Sequence, residues 1–340
     1  MWHSVLFTNT EPHLVVGNIN HPHEGNVGFD VEDNVQISDL AIFGMTTNRA
    51  NRGHGLNGRF GQNSRFTNLW IEHVNVGAWV GRDFSDTPAY WNPGIGLDFS
   101  GVRFRNLYAD GINFSNGTRQ SRVFNSSFRN TGDDSLAVWA NPAVRNAQED
   151  VGRDNVFINN TVQLPWRANG IAIYGGANNR VENNLIYDTM TFPGIMLATD
   201  HSPLPFSGTT LIANNGLFRC GGVFWGEAQE YGAITLFPSG QPIPGAVIRD
   251  TDIFDSTYDG IQFKTGGGEM PGVQITNVRI DASNNGGAGI LAMGGARGSA
   301  TLTNVTITNS SSAHVGLNPG SQFVFSGTVN GAPVQPVIVQ

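Results

Sequence analysis

Short runs of alternating apolar and polar residues recur along the chain, and glycine, asparagine or aspartate bounds each run. One group places Gly before Ile: "DGINF" at 110, "NGIAIY" at 169, "PGIML" at 193 and "DGIQF" at 259. Alternation with a period of two is typical of strands that bury one face. No segment keeps a 3.6-residue period, so we expect helices to be nearly absent.

The first inward apolar position of each run indicates the size of the repeating unit. These positions are Ile112, Leu136, Ile171, Ile195, Ile234, Ile261 and Ile290, and their separations range from 24 to 39 residues. Variable spacing above a fixed minimum indicates a coil with loop insertions, whose stacked units bury a core only together. A four-stranded propeller blade needs about 40 residues, and the shortest separation of 24 residues is too small for it. We therefore predict an all-β fold: a single-stranded right-handed parallel β-helix (solenoid) of the pectate-lyase-like type.

A second pattern places asparagine between two apolar segments. It occurs as "RFTNLWI" at 65, "VFINNTV" at 156, "RVENNLI" at 180 and "VQITNVRI" at 273. Identical positions of successive coils lie about 4.8 Å apart, and asparagines stacked at that spacing can hydrogen-bond in ladders. We interpret these asparagines as structural.

No linker or charge block divides the 340 residues, so we expect one catalytic β-helix domain over residues 1–340. The opening "MWHSVLFTNTEPHLVV" lacks the cationic segment and apolar run of a signal peptide. Its abrupt start suggests a piece of a longer protein, and we expect that protein to be secreted. No stretch approaches the roughly 18–20 apolar residues of a membrane span. We expect a monomer without a membrane partner.

Charge and metal-ligating residues exclude several functions. A net charge of −8 argues against nucleic acid as a partner. The single cysteine, Cys220, allows no intrachain disulfide. His21 and His23 in "HPH" have no third metal ligand at a suitable spacing. We therefore predict neither a metal ion nor another cofactor.

Three carboxylates are predicted to converge at one bend. Aligning "DGINF" with "DSLAV" by the first inward residue places Asp110 on Asp134, one coil apart, with Asp133 beside them. Like charges at that distance raise at least one pKa, so that a carboxyl group can hold a proton near neutral pH. An ordinary solvated turn needs only one such acceptor. The cluster therefore favours a catalytic role for exposed bend residues.

Two roles filled by carboxylates, without a Ser/His or Cys/His pair, are typical of glycoside hydrolysis. The stacked pair, Asp110 and Asp134, is predicted to hold and deprotonate the attacking water. Asp133, displaced by one residue, is predicted to be the general acid. The competing hypothesis is a non-catalytic β-helical glycan-binding or adhesin module, which would not need three carboxylates at one bend.

The segment "YADGINFSNGTRQSRVFNSSFRNTGDDSLAVW" (108–139) resembles the catalytic coils of the bacterial α-1,3-glucanase and mycodextranase family of β-helical glycoside hydrolases. The resemblance extends over residues 60–240 or so, and "GDD" after "ADG" is its most specific part. It implies that Asp110, Asp133 and Asp134 are catalytic. It also implies an endo-acting, inverting hydrolase of α-1,3-glucosidic bonds in α-1,3-glucan or nigeran.

A polygalacturonase-like hydrolase is the alternative enzyme, because polygalacturonases share the Gly-Asp-Asp arrangement. They usually also carry Gly-His-Gly and Arg-x-Lys, whereas this chain has "ANGIAIYGG" at 168 and "IQFKT" at 261. Lys264 is the single lysine, and a galacturonate polymer requires cations in its cleft. Because lysine is nearly missing from the chain, we expect a neutral polysaccharide, an α-glucan, as the partner.

Aromatic and polar residues near the aspartates are candidates for sugar contacts. Pyranose faces pack on aromatic rings, which makes Trp139 and Tyr174 candidate platforms. Trp225 and Tyr231 lie in the long insertion before Ile234 and are predicted to wall the cleft. Polar substrate contacts are predicted for two residues in "ATDHS", Asp200 and His201.

Overall fold

The chain winds into a parallel β-helix with three long faces, which we call sheets 1, 2 and 3 in their order along each coil. The computed structural model describes residues 33–44, 46, 48–49, 53–86, 88–223 and 229–340, and the backbone of strands at 4–7, 14–17 and 25–30. Within these residues the only helix is a 3-10 turn at Pro88–Tyr90. The predicted all-β parallel β-helix is confirmed.

Sheet 1 consists of Gln36–Ser38, Arg65–Thr67, Asp98–Ser100, Arg122–Phe124, Val156–Ile158, Arg180–Glu182, Thr210–Ala213, Ala246–Arg249, Met270–Thr276, Arg297–Ser310, Gln322–Val329 and, antiparallel at its edge, Ala332–Pro333. Sheet 2 consists of Ser4–Phe7, Leu40–Phe43, Trp70–Glu72, Arg103–Arg105, Ser127–Arg129, Thr161–Gln163, Leu185–Tyr187, Gly216–Phe218, Asp252–Ser256 and Arg279–Ser283. The long strand Arg297–Ser310 joins the two sheets.

Sheet 3 carries the candidate site and has 13 parallel strands. They are Leu14–Gly17, Gly25–Asp30, His54–Arg59, Ala78–Val80, Ile112–Phe114, Leu136–Trp139, Ile171–Tyr174, Ile195–Ala198, Ile234–Phe237, Ile261–Phe263, Ile290–Ala292, Val315–Leu317 and Val337–Ile338. Two short pairs lie outside the coils: Gly176–Ala177 with Phe206–Ser207, and Gly222–Val223 with Glu230–Tyr231.

The inward residues of sheet 3 stack in register, as the sequence predicts. The column runs through Ile112, Leu136, Ile171, Ile195, Ile234, Ile261 and Ile290, all fully buried. Because side chains alternate across a strand, the intervening residues point out of the coil. The outer face of sheet 3 is therefore free to form a binding surface.

Asparagine ladders connect the coils between sheets 1 and 2. The Ser126 amide donates to Asn160 Oδ1 at 3.1 Å, the Asn160 amide to Asn184 Oδ1 at 2.9 Å, and the Asn184 amide to Asn215 Oδ1 at 2.9 Å. The residue before each of these ladder asparagines adopts a positive φ, as Asn159 does at 56°, a conformation that asparagine tolerates. The structural interpretation of the repeated asparagines is confirmed.

In the described part of the chain no helix is long and apolar enough to cross a membrane. The "HPH" residues, His21 and His23, lie outside the described residues.

Candidate active site

Three aspartates meet where two neighbouring strands of sheet 3 begin. Asp110 lies two residues before Ile112, and Asp134 lies two residues before Leu136. Because Ile112 and Leu136 are register partners, the two aspartates occupy equivalent positions one coil apart, with Asp133 directly before Asp134. One carboxylate oxygen of each aspartate lies within 4.8 Å of the other two. The structure therefore brings together the three residues that the sequence predicts as catalytic.

Two of the aspartates are buried, which corrects the expectation of exposed bend residues. Asp110 is 8% exposed and Asp134 is 3% exposed, whereas Asp133 is half-buried. A buried carboxylate is tolerated when hydrogen bonds replace its water. Asp134 accepts three such bonds: from Asn169 N at 3.0 Å, from Asn169 Nδ2 at 2.7 Å and from the Tyr174 hydroxyl at 2.8 Å. The next coil thus fixes the orientation of Asp134.

Burial is the largest cause of a raised pKa at both buried aspartates, and the charge of a neighbouring aspartate adds to it. The pKa of Asp110 is raised to about 7 by burial and by the charge of Asp134, while Arg49 opposes the rise. Burial also raises the pKa of Asp134, against the hydrogen bonds from Asn169 and Tyr174. The predicted direction is confirmed, with burial as a larger cause than like charge. A carboxyl group of this cluster can therefore hold a proton at nearly neutral pH.

Arg49 is a site residue that the sequence analysis missed. Its Nη1 donates to the carbonyl oxygens of Tyr108 and Gly132, each at 2.9 Å, and its Nη2 forms an ion pair with Asp133. A guanidinium beside a carboxylate favours the ionised form. No signal in the sequence identifies Arg49, because it belongs to no repeated run and lies 84 residues before Asp133.

Replacing Arg49 with glutamine is expected to raise the pKa of Asp110 further, because the charge of Arg49 opposes the rise that burial causes. The limb of the kcat/KM pH profile that Asp110 controls should therefore move to higher pH. Movement of the alkaline limb would identify Asp110 as an acid, and movement of the acidic limb as a base.

The exposed Arg65 on sheet 1 supplies the control for this variant, because Arg65→Gln removes a guanidinium far from the cluster. An Arg49→Gln profile that coincides with those of the wild type and Arg65→Gln would show that Arg49 does not influence the titration of Asp110.

Three adjoining cavities form a cleft along the outer face of sheet 3. The central cavity, about 250 Å³, is lined by all three aspartates. An N-terminal cavity of about 470 Å³ shares Asp110 and Trp139 with it. A C-terminal cavity of about 500 Å³ shares Asp133 and Tyr174 with it. The aspartates therefore lie within the cleft, with space on both sides.

The two predicted aromatic platforms differ in what they offer. Trp139 lines the central and N-terminal cavities and meets the Trp79 ring edge-on, with centroids 6.1 Å apart. Tyr174 lines the central cavity but is 8% exposed, and its hydroxyl donates a hydrogen bond to Asp134. Trp139 is thus placed to contact a sugar, whereas Tyr174 mainly holds Asp134 in position.

The predicted polar pair lies in the cleft. Asp200 and His201 line the C-terminal cavity, and His201 Nε2 lies 3.4 Å from Asp200 Oδ2. Trp225 lies outside the described residues. Tyr231 also lines the C-terminal cavity, but it is 4% exposed and stacked on Phe192 at 4.5 Å.

Cationic side chains line the C-terminal cavity, although the chain has a single lysine. Lys264, Arg49 and Arg167 all line the C-terminal cavity. Lys264 Nζ lies 3.8 Å from the centre of the Tyr231 ring, a cation–π distance, so both faces of that ring are covered. Lys264 directly follows the strand Ile261–Phe263, three residues after the inward isoleucine, as Tyr174 follows its own inward residue. That shared register is the signal that could have placed Lys264 in the cleft.

The three aspartates are also the described residues whose donor atoms could surround a metal ion. The Arg49 guanidinium supplies positive charge at Asp133, and three hydrogen-bond donors approach Asp134. The absence of a metal cofactor stays a prediction.

Comparisons with known proteins identify the family to which this chain is related. The family model of the alpha-1,3-glucanase catalytic domain D2 matches residues 18–330. No curated protein matches the chain. Among solved structures, the Agl-KA catalytic domain is 29% identical with a TM-score of 0.76, over 96% of this chain and 58% of that chain. The catalytic unit of the thermostable GH87 alpha-1,3-glucanase from Streptomyces thermodiastaticus strain HF3-3 is 28% identical with a TM-score of 0.74, over 96% and 63%.

A GH87 alpha-1,3-glucanase catalytic domain in complex with nigerose is 26% identical with a TM-score of 0.73, over 89% of this chain and 56% of that chain. The chain spans less than two thirds of each of these solved chains. Because the family model covers nearly the whole sequence, the chain belongs to the alpha-1,3-glucanase catalytic domain D2 family.

Proposed function

We propose that this chain carries the active site of a glycoside hydrolase that cleaves α-1,3-glucosidic bonds in α-glucan. The observation that carries the proposal is the cluster of Asp110, Asp133 and Asp134 inside a cleft. Membership of the alpha-1,3-glucanase family supports the substrate class, as does the nigerose bound to a similar catalytic domain.

The cleft supports an endo-acting enzyme. The N-terminal and C-terminal cavities extend on opposite sides of the aspartates and connect through the central cavity. A glucan chain can therefore continue past the scissile bond in both directions. An exo-acting enzyme would require a closed end near the aspartates.

In the proposed reaction, Asp133 protonates the glycosidic oxygen while water attacks the anomeric carbon. The C–O bond to the leaving sugar breaks, the water oxygen forms the new bond, and its proton passes to Asp110 or Asp134. In inverting enzymes with two catalytic carboxyl groups, those groups lie roughly 6.5–9.5 Å apart. Here one carboxylate oxygen of each aspartate lies within 4.8 Å of an oxygen of the other two. We place the water between Asp110 and Asp134, since two O–H···O bonds of about 2.7–2.8 Å each let one water bridge such a gap.

The proton needed for this reaction belongs to the cluster rather than to one residue. The raised pKa of Asp110 favours a proton on the buried pair, whereas Asp133 forms an ion pair with Arg49. A substrate that separates Arg49 from Asp133 shifts the proton toward Asp133. Groups that share protons in this way titrate with pKa values of the whole cluster, so we expect a bell-shaped activity profile on the acidic side of neutrality.

Proton NMR of the first minutes of digestion is expected to show β-anomeric sugar released from an α-linked substrate. Water that attacks opposite the leaving group inverts the configuration, and recording before mutarotation preserves the evidence. Early α-anomer would show that one aspartate acts as a nucleophile, a mechanism for which short carboxylate separations are typical.

A substrate panel tests the reaction class in the same experiment. α-1,3-Glucan and nigeran should yield reducing ends, whereas polygalacturonate should not. Cleavage of polygalacturonate alone would favour the polygalacturonase-like alternative. Binding of glucan without cleavage would favour the glycan-binding module.

Further properties complete the proposal. Nigeran, with alternating α-1,3 and α-1,4 bonds, is proposed as a substrate beside pure α-1,3-glucan, which would include mycodextranase activity. We also propose that residues 1–340 form one catalytic domain of a longer, secreted, monomeric protein. The polymeric substrate supports secretion, since such a glucan lies outside the cell that digests it.

A further inference from the structure

A fourth cavity continues the outer face of sheet 3 beyond the cleft. It measures about 390 Å³, and we call it the distal cavity. Gln229 lines both the distal cavity and the C-terminal cavity, which makes the two adjacent. Polar residues of the distal cavity include Glu230, Asp259 and Gln262. None of these residues has a part in the reaction proposed above.

The distal cavity repeats the local arrangement of the catalytic coil. "DGIQ" at 259–262 occupies the same register as "DGIN" at 110–113, because Ile261 and Ile112 belong to one inward column. Asp259 is 3% exposed, and its Oδ1 accepts the Ala288 amide of the next coil at 2.8 Å. Asp134 accepts the Asn169 amide in the same way.

Gln262 indicates the chemistry of a ligand in the distal cavity. It is 1% exposed, and its Nε2 donates to Asp259 Oδ2 at 2.9 Å and to the Glu230 carbonyl oxygen at 3.2 Å. Both partners are acceptors, which fixes the orientation of the amide. Its Oε1 has no hydrogen-bond partner among the described residues. A buried acceptor without a donor is costly, so the cavity is suited to a ligand that supplies hydrogen-bond donors.

Carboxylates select against anions, and the existing contacts disfavour a metal ion. Both oxygens of Asp259 already accept N–H groups, from Ala288 and Gln262. Burial also raises the pKa of Asp259 to about 6 and raises the pKa of Glu230. Carboxylate oxygens that already accept N–H groups keep lone pairs that can accept hydrogen bonds from sugar hydroxyl groups. Leu291 and Met293 add an apolar surface for a pyranose ring.

The position of the distal cavity fits a chain that already occupies the cleft. Asp134 and Asp259 are separated by four strand steps in sheet 3. At about 4.8 Å per step, this places them about 19 Å apart. A linear glucan that leaves the C-terminal cavity along sheet 3 would reach the distal cavity several sugar units from the scissile bond.

We propose that the distal cavity is a binding site for glucose units of the same α-glucan chain, with Gln262 and Asp259 as the groups that bind sugar hydroxyls. The inference rests on the proposed function for the identity of the sugar. The site holds long substrates and does not act on bonds. Short oligosaccharides that fill only the three cleft cavities do not reach it.

The test compares long and short substrates in two variants. Gln262→Leu removes the unpaired acceptor, and Ser312→Trp fills the cavity from its exposed rim. We expect KM for long soluble α-1,3-glucan to rise about 3- to 10-fold in both variants, with kcat/KM for a tetrasaccharide unchanged. Ser326→Trp, at an exposed position of sheet 1, is the matched control.

Direct titration with unhydrolysed α-1,3-linked oligosaccharide, in an Asp133→Asn background, separates this inference from the proposed function. Long oligosaccharide should bind the background protein more tightly than it binds the same protein with Gln262→Leu, even if the wild type proves inactive on glucan. Equal affinity, or an unchanged KM in both variants, would overturn the distal site. Saturable Ca²⁺ binding that Gln262→Leu abolishes would overturn it in favour of a cation site.

Discussion

Replacing Asp133 with asparagine should lower kcat on α-1,3-glucan by about 10²- to 10⁴-fold, the usual contribution of a general acid or base. Asparagine keeps the size of the side chain but cannot give a proton to the glycosidic oxygen. The same loss is expected for Asp110→Asn and Asp134→Asn, because an amide oxygen can accept a hydrogen bond from the water but cannot take its proton. Reducing-end release from soluble glucan measures each variant.

Folding must be measured beside activity, because the three positions differ in burial. Asp133 is half-buried, so Asp133→Asn should unfold like the wild type. Asp134 accepts donors from Asn169 and Tyr174, and an amide nitrogen placed there would oppose them. Asp134→Asn should therefore lose stability as well as activity. More than about a tenth of the activity in all three variants would contradict a catalytic cluster and favour the glycan-binding module.

A substrate with an activated leaving group distinguishes the general acid from the residues that act as bases. A glucosyl fluoride releases fluoride, which needs little help from a general acid. If Asp133 is the acid, Asp133→Asn should keep most of its activity on an α-1,3-linked oligosaccharide fluoride, while Asp110→Asn should not. The reverse result would exchange the roles of these two residues.

The second large effect concerns stability: Asp110→Asn should make the protein more stable above pH 7. The pKa of Asp110 in the folded protein is about 7, above the ordinary value of 3.8. At a pH between these two pKa values, the folded state binds a proton that the unfolded state releases. Stability of the wild type therefore falls as pH rises through this window, and the cost is complete above pH 7. Such a displacement corresponds to roughly 4 kcal/mol at most.

Thermal unfolding at a fixed scan rate, from pH 4 to pH 8, checks this prediction. The gain of Asp110→Asn over the wild type should be near zero at pH 4 and should grow to its full size by pH 8. Asp281→Asn is the control with the opposite sign, because hydrogen bonds from Thr308 and Asn309 lower the pKa of that exposed carboxyl. A gain that does not vary with pH would show that burial of charge at Asp110 is not its cause.

The fold and the position of the aspartate cluster could be predicted because a β-helix makes register a property of the sequence. Once Ile112 and Leu136 are aligned, the fold places Asp110 and Asp134 on adjacent rungs without further information. The asparagine ladders follow from the same periodicity. Each of these features depends on spacing within a repeat, and spacing is visible in the chain.

Burial and the contacts of long side chains were less predictable. The bends at Asp110 and Asp134 look like solvated turns in sequence, but Asn169 and Tyr174 from the next coil cover Asp134. Arg49 reaches Asp133 from a segment outside the repeat. These contacts depend on where side chains end, which the repeat does not specify.

The asparagine ladder has a consequence for how the stack assembles and opens. Each rung uses an amide of one coil and a side chain of the following coil, from Ser126 through Asn160 and Asn184 to Asn215. An ordered coil therefore serves as a template for its neighbour, as expected for quasi-one-dimensional repeat proteins. Loosening an interior coil breaks its ladder hydrogen bonds to both neighbouring coils at once, whereas fraying of the last coil breaks only those to its one neighbour. The coil that carries Asp134 is held on both sides, because Ser126 Oγ accepts the Val102 amide of the preceding coil and the Ser126 amide donates to Asn160 of the following coil. The geometry of the aspartate cluster is therefore insulated from fraying at the ends of the stack.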